Sequence, residues 1–213
     1  MALSKVDVES GGTGLVAAGT SGNVLTSDGT DWTSAAAAGG GAWTPITSTT
    51  ISSSVSEVDF TSGIDGTYDT YVIKVAGLRI VNDGQHVRLK FFTSGPTIQS
   101  SNYHYHLLKT TSATDAYAGT QGNSATQIVL AHPVGNDSHS SYSGTIYISE
   151  THTSGVYTHC YFTGVHYAMY DHSSTAHGSG TWYNSTTVTG FRIQAQSGNV
   201  TAGKVTLYGI KNS

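Results

Sequence analysis

The sequence predicts an all-β chain: an antiparallel, jelly-roll-type β-sandwich preceded by an extended, Gly-rich N-terminal anchor segment. Three observations carry that expectation. From Trp43 onward, apolar and polar residues alternate with period 2 in run after run, as half-buried strands require. Clusters of Gly, Asn, Asp and Ser punctuate the runs at turn-like intervals. No window shows the 3.6-residue apolar spacing of an amphipathic helix of ten residues or more. An up-and-down barrel is the alternative arrangement of the same strands.

Taken in order, residues 1–10 alternate through Leu3, Val6 and Val8 and read as a short strand or peg. Residues 11–42 are Gly/Ser/Thr-rich with isolated apolar side chains, Leu15, Val16, Val24, Leu25 and Trp32. That is too little apolar surface to close a core and too much for a plain linker. Its end, the Ala35–Ala38 run before three glycines, is too short for a stable helix and reads as a hinge. The expected division is therefore an N-terminal segment, 1–42, and a sandwich domain, 43–213. Within the latter, strands are expected at 55–60, 71–75, 87–92, 103–108, 127–130, 142–149, 157–165, 188–195 and 204–210. Residues 71–75 place Tyr71, Ile73 and Val75 on one face and Val72 and Lys74 on the other. Asn82-Asp83-Gly84 and Gln196-Ser197-Gly198-Asn199 read as hairpin turns.

The chain is 213 residues long, and only 10% of these are charged, with a net charge of −4. So even a balance, with Lys and Arg scattered singly, offers no basic stripe for phosphate neutralisation, and no nucleic-acid partner is expected. Cys160 cannot form an intrachain disulfide, and its alternating setting reads as a small buried apolar residue. No signal peptide is read in the first ten residues and no segment reaches membrane-spanning length, so no membrane insertion is expected. Three sequons, at Asn136, Asn184 and Asn199, read as polar turns.

Signatures of catalysis are sparse. Gly12-x-Gly14-x-x-Ala17 has the letters of a dinucleotide fingerprint but lacks the strand before it and the helix after it. There is no G-x-S-x-G elbow. Glu150 and Asp171 are the only acids in the aromatic-rich region, too few for paired-carboxylate chemistry. We therefore expect a non-enzymatic protein without a cofactor.

Histidine is more suggestive. His104-Tyr105-His106 puts two imidazoles on one face of a strand, which in a trimer could converge on a transition metal. The plainer reading, and the one favoured, places both on a solvent face opposite buried Tyr103, Tyr105 and Leu107. A second group from His166 to His177 reads as a long polar loop whose spacing fits no zinc pattern. On 157–162, Val156, Thr158, Cys160 and Phe162 alternate with Tyr157, His159 and Tyr161; with the first set facing the core, an exposed Tyr-His-Tyr row is expected. Tyr167, Tyr170, Trp182 and Tyr183 in neighbouring loops would extend it. Rigid amphipathic aromatics suit recognition of a carbohydrate or a protein, and they suit a subunit interface equally well.

The words GTGL and GTSGNVLTSDGTDW near the N-terminus resemble a segment that recurs in tail-fibre and related virion proteins of tailed bacteriophages, ahead of a β-rich tip. The ending TGFRIQAQSGNVTAGKVTLYGIKNS is similar to the closing hairpin of jelly-roll domains in phage appendage proteins, through Phe191, Ile193, Gly198, Asn199, Gly203, Leu207, Tyr208 and Gly209. Tyr68-Asp69-Thr70-Tyr71 resembles the start of a strand in those domains. The resemblance implies a homotrimeric short tail fibre or appendage, made in the host cytoplasm and carried on the virion. Leu15, Val16, Val24, Leu25 and Trp32 would anchor it to other virion proteins. The knob would bind a host-surface glycan or protein through Tyr157, His159, Tyr161, Tyr167, Tyr170, Trp182 and Tyr183, with 132–141 and 166–183 as contact loops. A head-decorating fibre or tail adaptor of purely structural role is the alternative.

Overall fold

The computed structural model describes residues 23–27, 32–36, 43–112 and 117–211, and the chain divides into two compact units, Met1–Gly41 and Ala42–Ser213. In the first unit, β1 (Asn23–Ser27) and β2 (Trp32–Ala36) form an antiparallel hairpin in which Asn23 faces Ala36 and Ser27 faces Trp32. Ala35 and Ala36, expected in a hinge, therefore belong to a strand. Of the expected anchoring residues, Val24 and Leu25 lie on β1 and Trp32 on β2, while Leu15 and Val16 lie outside the described residues.

The second unit is an antiparallel, jelly-roll-type β-sandwich built from thirteen strands. These are β3 (Thr44–Ile51), β4 (Glu57–Phe60), β5 (Thr70–Ile80), β6 (Gln85–Thr93), β7 (Thr97–Ile98), β8 (Tyr103–Thr111) and β9 (Tyr117–Ala125). They continue with β10 (Ile128–Val134), β11 (Tyr142–Ser149), β12 (Thr158–Ala168), β13 (His172–Trp182), β14 (Gly190–Ala195) and β15 (Val200–Ile210). Among the described residues there is no helix. A large sheet runs β3-β15-β5-β11-β12-β13-β8-β9, and a small one runs β4-β14-β6-β10, with β7 continuing on β6. Because β11 and β13 occupy the two edges of β12 almost throughout, β10 meets it only at Val134–Ala168, where the two sheets join.

Most connections carry the chain from one sheet to the other. Both turns expected to close hairpins do this instead. Asn82-Asp83-Gly84 leads from β5 in the large sheet to β6 in the small one, and residues 196–199 lead from β14 in the small sheet to β15 in the large one. The two corners lock together: the Asn82 amide donates to Ser197 Oγ at 3.1 Å, and Val81 N–H donates to the Asn199 carbonyl at 3.0 Å. Gly198, at φ +73°, abuts the Asn82 side chain closely enough that a Cβ would fall 2.8 Å from it.

The core lies between the sheets. Tyr71, Ile73 and Val75 face it as expected, with Leu89, Phe91, Ile128, Ile146, Ile148, Phe162, Phe191, Ile193 and Leu207. Phe91 packs edge-on against Phe191 and Trp182, at ring-centroid distances of 5.9 and 6.4 Å. Such pairs add about 0.5–1.5 kcal/mol each beyond their burial. Cys160 is buried, and burial pushes its thiol up to about 12.

Strand β13 shows why alternation missed part of the fold. Its inward residues are Ser174, Ala176, Gly178, Gly180 and Trp182, mostly small. Across from them stand large side chains: a Cβ on Gly178 would lie 2.4 Å from Phe162, and one on Gly180 would lie 2.6 Å from Ile128. The strand is made of small residues because its neighbours fill the space. The segment from His166 to His177, expected to be a loop, is the end of β12 and the first half of β13, joined by Met169–Asp171.

Candidate functional site

The register of the large sheet places its outward side chains in rows. One row reads Gln121, His106, Ser179, Tyr161, Tyr147, Val72, Tyr208 across seven strands. The next reads His104, Thr181, His159, Ser149, Thr70. A third holds Leu108, His177, Thr163, Thr145 and Lys74.

Two aromatic groups stand on this face. Tyr147 and Tyr161 lie as parallel plates, with centroids 4.5 Å apart and planes 6° apart. Trp43 packs edge-on against Tyr147 and Tyr208, at 5.8 and 5.6 Å, and Lys74 Nζ sits 5.6 Å from the Trp43 ring. Val72 lies between Tyr147 and Tyr208 in register, and is fully buried although it points away from the core. Trp43 and the two tyrosines thus form a lid over one patch of the outer face. The second group is at one end of the sheet: Tyr183 packs against Tyr157 at 4.5 Å and against His104 at 5.4 Å.

Two hollows are lined largely by residues of these rows. One, of about 360 Å³, is lined by His104, His106, Gln121, Asn123, Ser179 and Thr181 among others. The other, of about 560 Å³, is floored by Thr70, Tyr147, Ser149, His159, Tyr161 and Ile210 among others. No Asp, Glu, Lys or Arg lines either. The donors and acceptors they offer are hydroxyls, amides and imidazoles. His159 Nδ1 is 2.9 Å from Thr181 Oγ1, and His177 Nδ1 is 2.9 Å from Thr163 Oγ1, so the ring on each strand is oriented by its neighbour.

The structure brings together Tyr157, His159, Tyr161 and Tyr183, with Tyr161 and Tyr183 each 57% exposed, whereas Val156, expected on the core face, precedes β12 and is exposed. Tyr170 is more exposed still but lies in the β12–β13 turn, at the opposite end of those strands from Tyr157 and Tyr183, and Tyr167 is close to it in the chain on β12. Trp182 is corrected outright: it is 1% exposed, packs on Phe91 and Tyr103, and donates its indole N–H to the Ser101 carbonyl at 3.1 Å. It sits on the inward parity of β13, not in a loop, and cannot touch a receptor. Of the expected contact loops, only 135–141, 169–171 and Tyr183 lie between strands, and His132 is part of β10.

His104 and His106 lie on the face of β8 opposite buried Tyr103 and Leu107, while Tyr105, expected to be buried with them, is only half-buried. Among the described residues, no group of three or more His, Cys, Asp or Glu side chains is placed to hold a metal ion. Alternation within 142–149 marks Tyr147 as opposite to Ile146 and Ile148, but its pairing with Tyr161 needed the strand order. Trp43 and Tyr208 gave no such signal. Comparison of the chain with protein-family models, with curated proteins and with solved structures returned no match.

Proposed function

We propose that this chain is a bacteriophage virion protein, a homotrimeric short tail fibre or appendage, whose sandwich domain binds a host-surface glycan or protein without catalysis. Residues 1–42 would join it to other virion proteins. The observation that carries the recognition half of this reading is the outer face of the large sheet. Parallel tyrosine plates, one of them 57% exposed, line one of two hollows, and both hollows offer hydroxyls, amides and imidazoles and no charged group. Flat aromatic surfaces ringed by neutral hydrogen-bonding groups suit a polyhydroxylated ligand, because sugar C–H faces stack on rings while the hydroxyls exchange hydrogen bonds. The virion half rests on the resemblance of the two chain ends to phage fibre sequences.

The test joins location and binding. Cryo-electron microscopy of the intact particle should find the outer face of the large sheet free and distal. On immobilised bacterial surface polysaccharides, the purified chain should bind and Tyr161→Ala should lose at least about tenfold in affinity, the loss of one stacked aromatic contact. A chain that studs the capsid with this face buried between subunits would make it a decorating or structural protein.

A further inference from the structure

The two hollows on the outer face of the large sheet are neighbours across the strands. Ser179 and Thr181 of β13 border the smaller one, and each pairs in register with a residue of β12 that borders the larger. Ser179 stands beside Tyr161, and Thr181 beside His159. The 2.9 Å contact between His159 Nδ1 and Thr181 Oγ1 ties the two linings together. Along the sheet the lining passes through β9, β8, β13, β12, β11, β5 and β15, from Gln121 at one end to Ile210 at the other. At about 4.8 Å per step between strands, this is a track of roughly 29 Å that runs across the strands rather than along them.

Polar side chains elsewhere on this face satisfy one another: Thr163 with His177, Thr110 with Thr175, Ser48 with Thr206. Those in the hollows largely do not. Among the described residues, Gln121, Asn123, Ser179 and Ser149 make no side-chain hydrogen bond within the molecule. Tyr147 covers one face of the Tyr161 ring, so the other is open to a ligand. Lys74, one row away from the plates, is turned to the Trp43 ring, and no Asp, Glu, Lys or Arg lines either hollow. A ligand rich in carboxylates or phosphates would shed hydration here without meeting a charged partner. A wholly apolar ligand would leave the amides and hydroxyls unpaired. A peptide would have to pair its backbone with side chains alone, since the sheet ladder already engages the backbone of these strands. A chain of neutral sugars meets every condition, offering C–H faces to the Tyr161 ring and hydroxyls to the groups around it.

We propose that the two hollows are subsites of one track, and that its ligand is an uncharged polysaccharide extended across the strands. This rests on the glycan-binding reading above and adds to it the charge class, the length and the direction of the ligand. An extended polysaccharide advances by close to one strand spacing per sugar, so the track takes about six units. Gln121 and Asn123 hold one end and Thr70 and Ser149 the other, with a sugar stacked on Tyr161 between them. Each hollow alone engages too few sugars to hold a ligand firmly. Affinity comes from filling both with one chain, since the second subsite is then filled at the high effective concentration set by the first.

The test presents the full chain with a panel of immobilised bacterial surface polysaccharides, neutral and acidic. Polymers that bind are cut into oligosaccharides of graded length, from the disaccharide upward, and titrated calorimetrically. We expect the bound polymers to be neutral, with affinity rising up to about six sugars and at least about tenfold tighter there than for the disaccharide. Gln121→Ala, an exposed change on the edge strand β9, should weaken the long oligosaccharides by about three- to tenfold and leave the disaccharide, seated at Tyr161, unchanged. An affinity already at its plateau with the disaccharide overturns the track while leaving glycan recognition at Tyr161 intact, and this length series needs no variant. Binding confined to acidic polysaccharides overturns the proposal through its charge class. Binding to none of the panel overturns it together with the glycan reading on which it rests.

Discussion

Trp182 and Tyr161 sit 21 positions apart in the chain and carry opposite duties, and only the parity of their strands tells them apart. Tyr161 shares its face with His159 and Thr163, and is 57% exposed; its ring lies flat on Tyr147. Trp182 shares its face with Gly180 and Gly178 and ends inside the core, its indole N–H satisfied by Ser101. Truncating each should separate stability from recognition. Trp182→Ala empties a fully enclosed aromatic site and should cost about 3–5 kcal/mol in urea unfolding, the usual range for a core tryptophan. Tyr161→Ala removes one stacked pair at the surface and should cost no more than about 1.5 kcal/mol. A Trp182→Ala loss under about 1 kcal/mol would show the side chain to be exposed.

At the scale of elements, the junction where β10 meets β12 concentrates the molecule's titration. His86 and His166 have folded-state values of about 4, against an ordinary value near 6.5, with burial as the main cause, and His132 is lowered in the same direction. The unfolded chain therefore binds protons that the folded chain refuses. Stability is at its full value above pH 6.5 and is lost as the pH falls from there through about 4, on the order of 3 kcal/mol for fully buried His166. The urea midpoint should hold from pH 7.5 to about 6.5 and fall from there to pH 4.5. His166→Leu, which replaces a buried titratable ring with an apolar side chain, should flatten that slope and raise stability most at the acid end. An unchanged slope in His166→Leu would place the pH dependence elsewhere. The same elements mark what alternation could and could not convey. Strands β5, β8, β11, β12 and β15 announce themselves because each has a bulky apolar face. β13 does not, since its inward positions are small to admit Phe162 and Ile128, nor does β9, an edge strand rich in Gly and Ser. The rung of Ser174, His166 and Tyr142, in register across β13, β12 and β11 and buried throughout, was invisible for a related reason: His166 and Ser174 look like loop residues until β12 and β13 are paired. The turn signals at 82–84 and 196–199 were real turns, but local sequence does not encode whether a turn returns to the same sheet or crosses to the other.

For the whole molecule, the described core is drawn from every strand of the second unit except β7 and β9, and spans Ile51 to Leu207. It is closed by inter-sheet corners that belong to the same unit, at 81–84 and 196–199. A chain beginning at Ala42 should therefore fold, with a thermal transition and near-ultraviolet spectrum close to those of the full chain. If residues 1–41 hold subunits together, that truncated chain should be a monomer by light scattering while the full chain is a trimer; a truncated chain that remains trimeric would move the assembly contacts onto the sandwich. Nitration of surface tyrosines then says which contacts those are. Among the described residues, Tyr161, Tyr170 and Tyr183 are the exposed tyrosines, Tyr170 at one end of β12 and β13 and the other two on the outer face of the large sheet. Equal reactivity of Tyr161 in trimer and monomer leaves that face free for a receptor. Protection of Tyr161 and Tyr183 in the trimer, with Tyr170 still reactive, would assign the face to the subunit interface and end the recognition reading, because one surface cannot serve both.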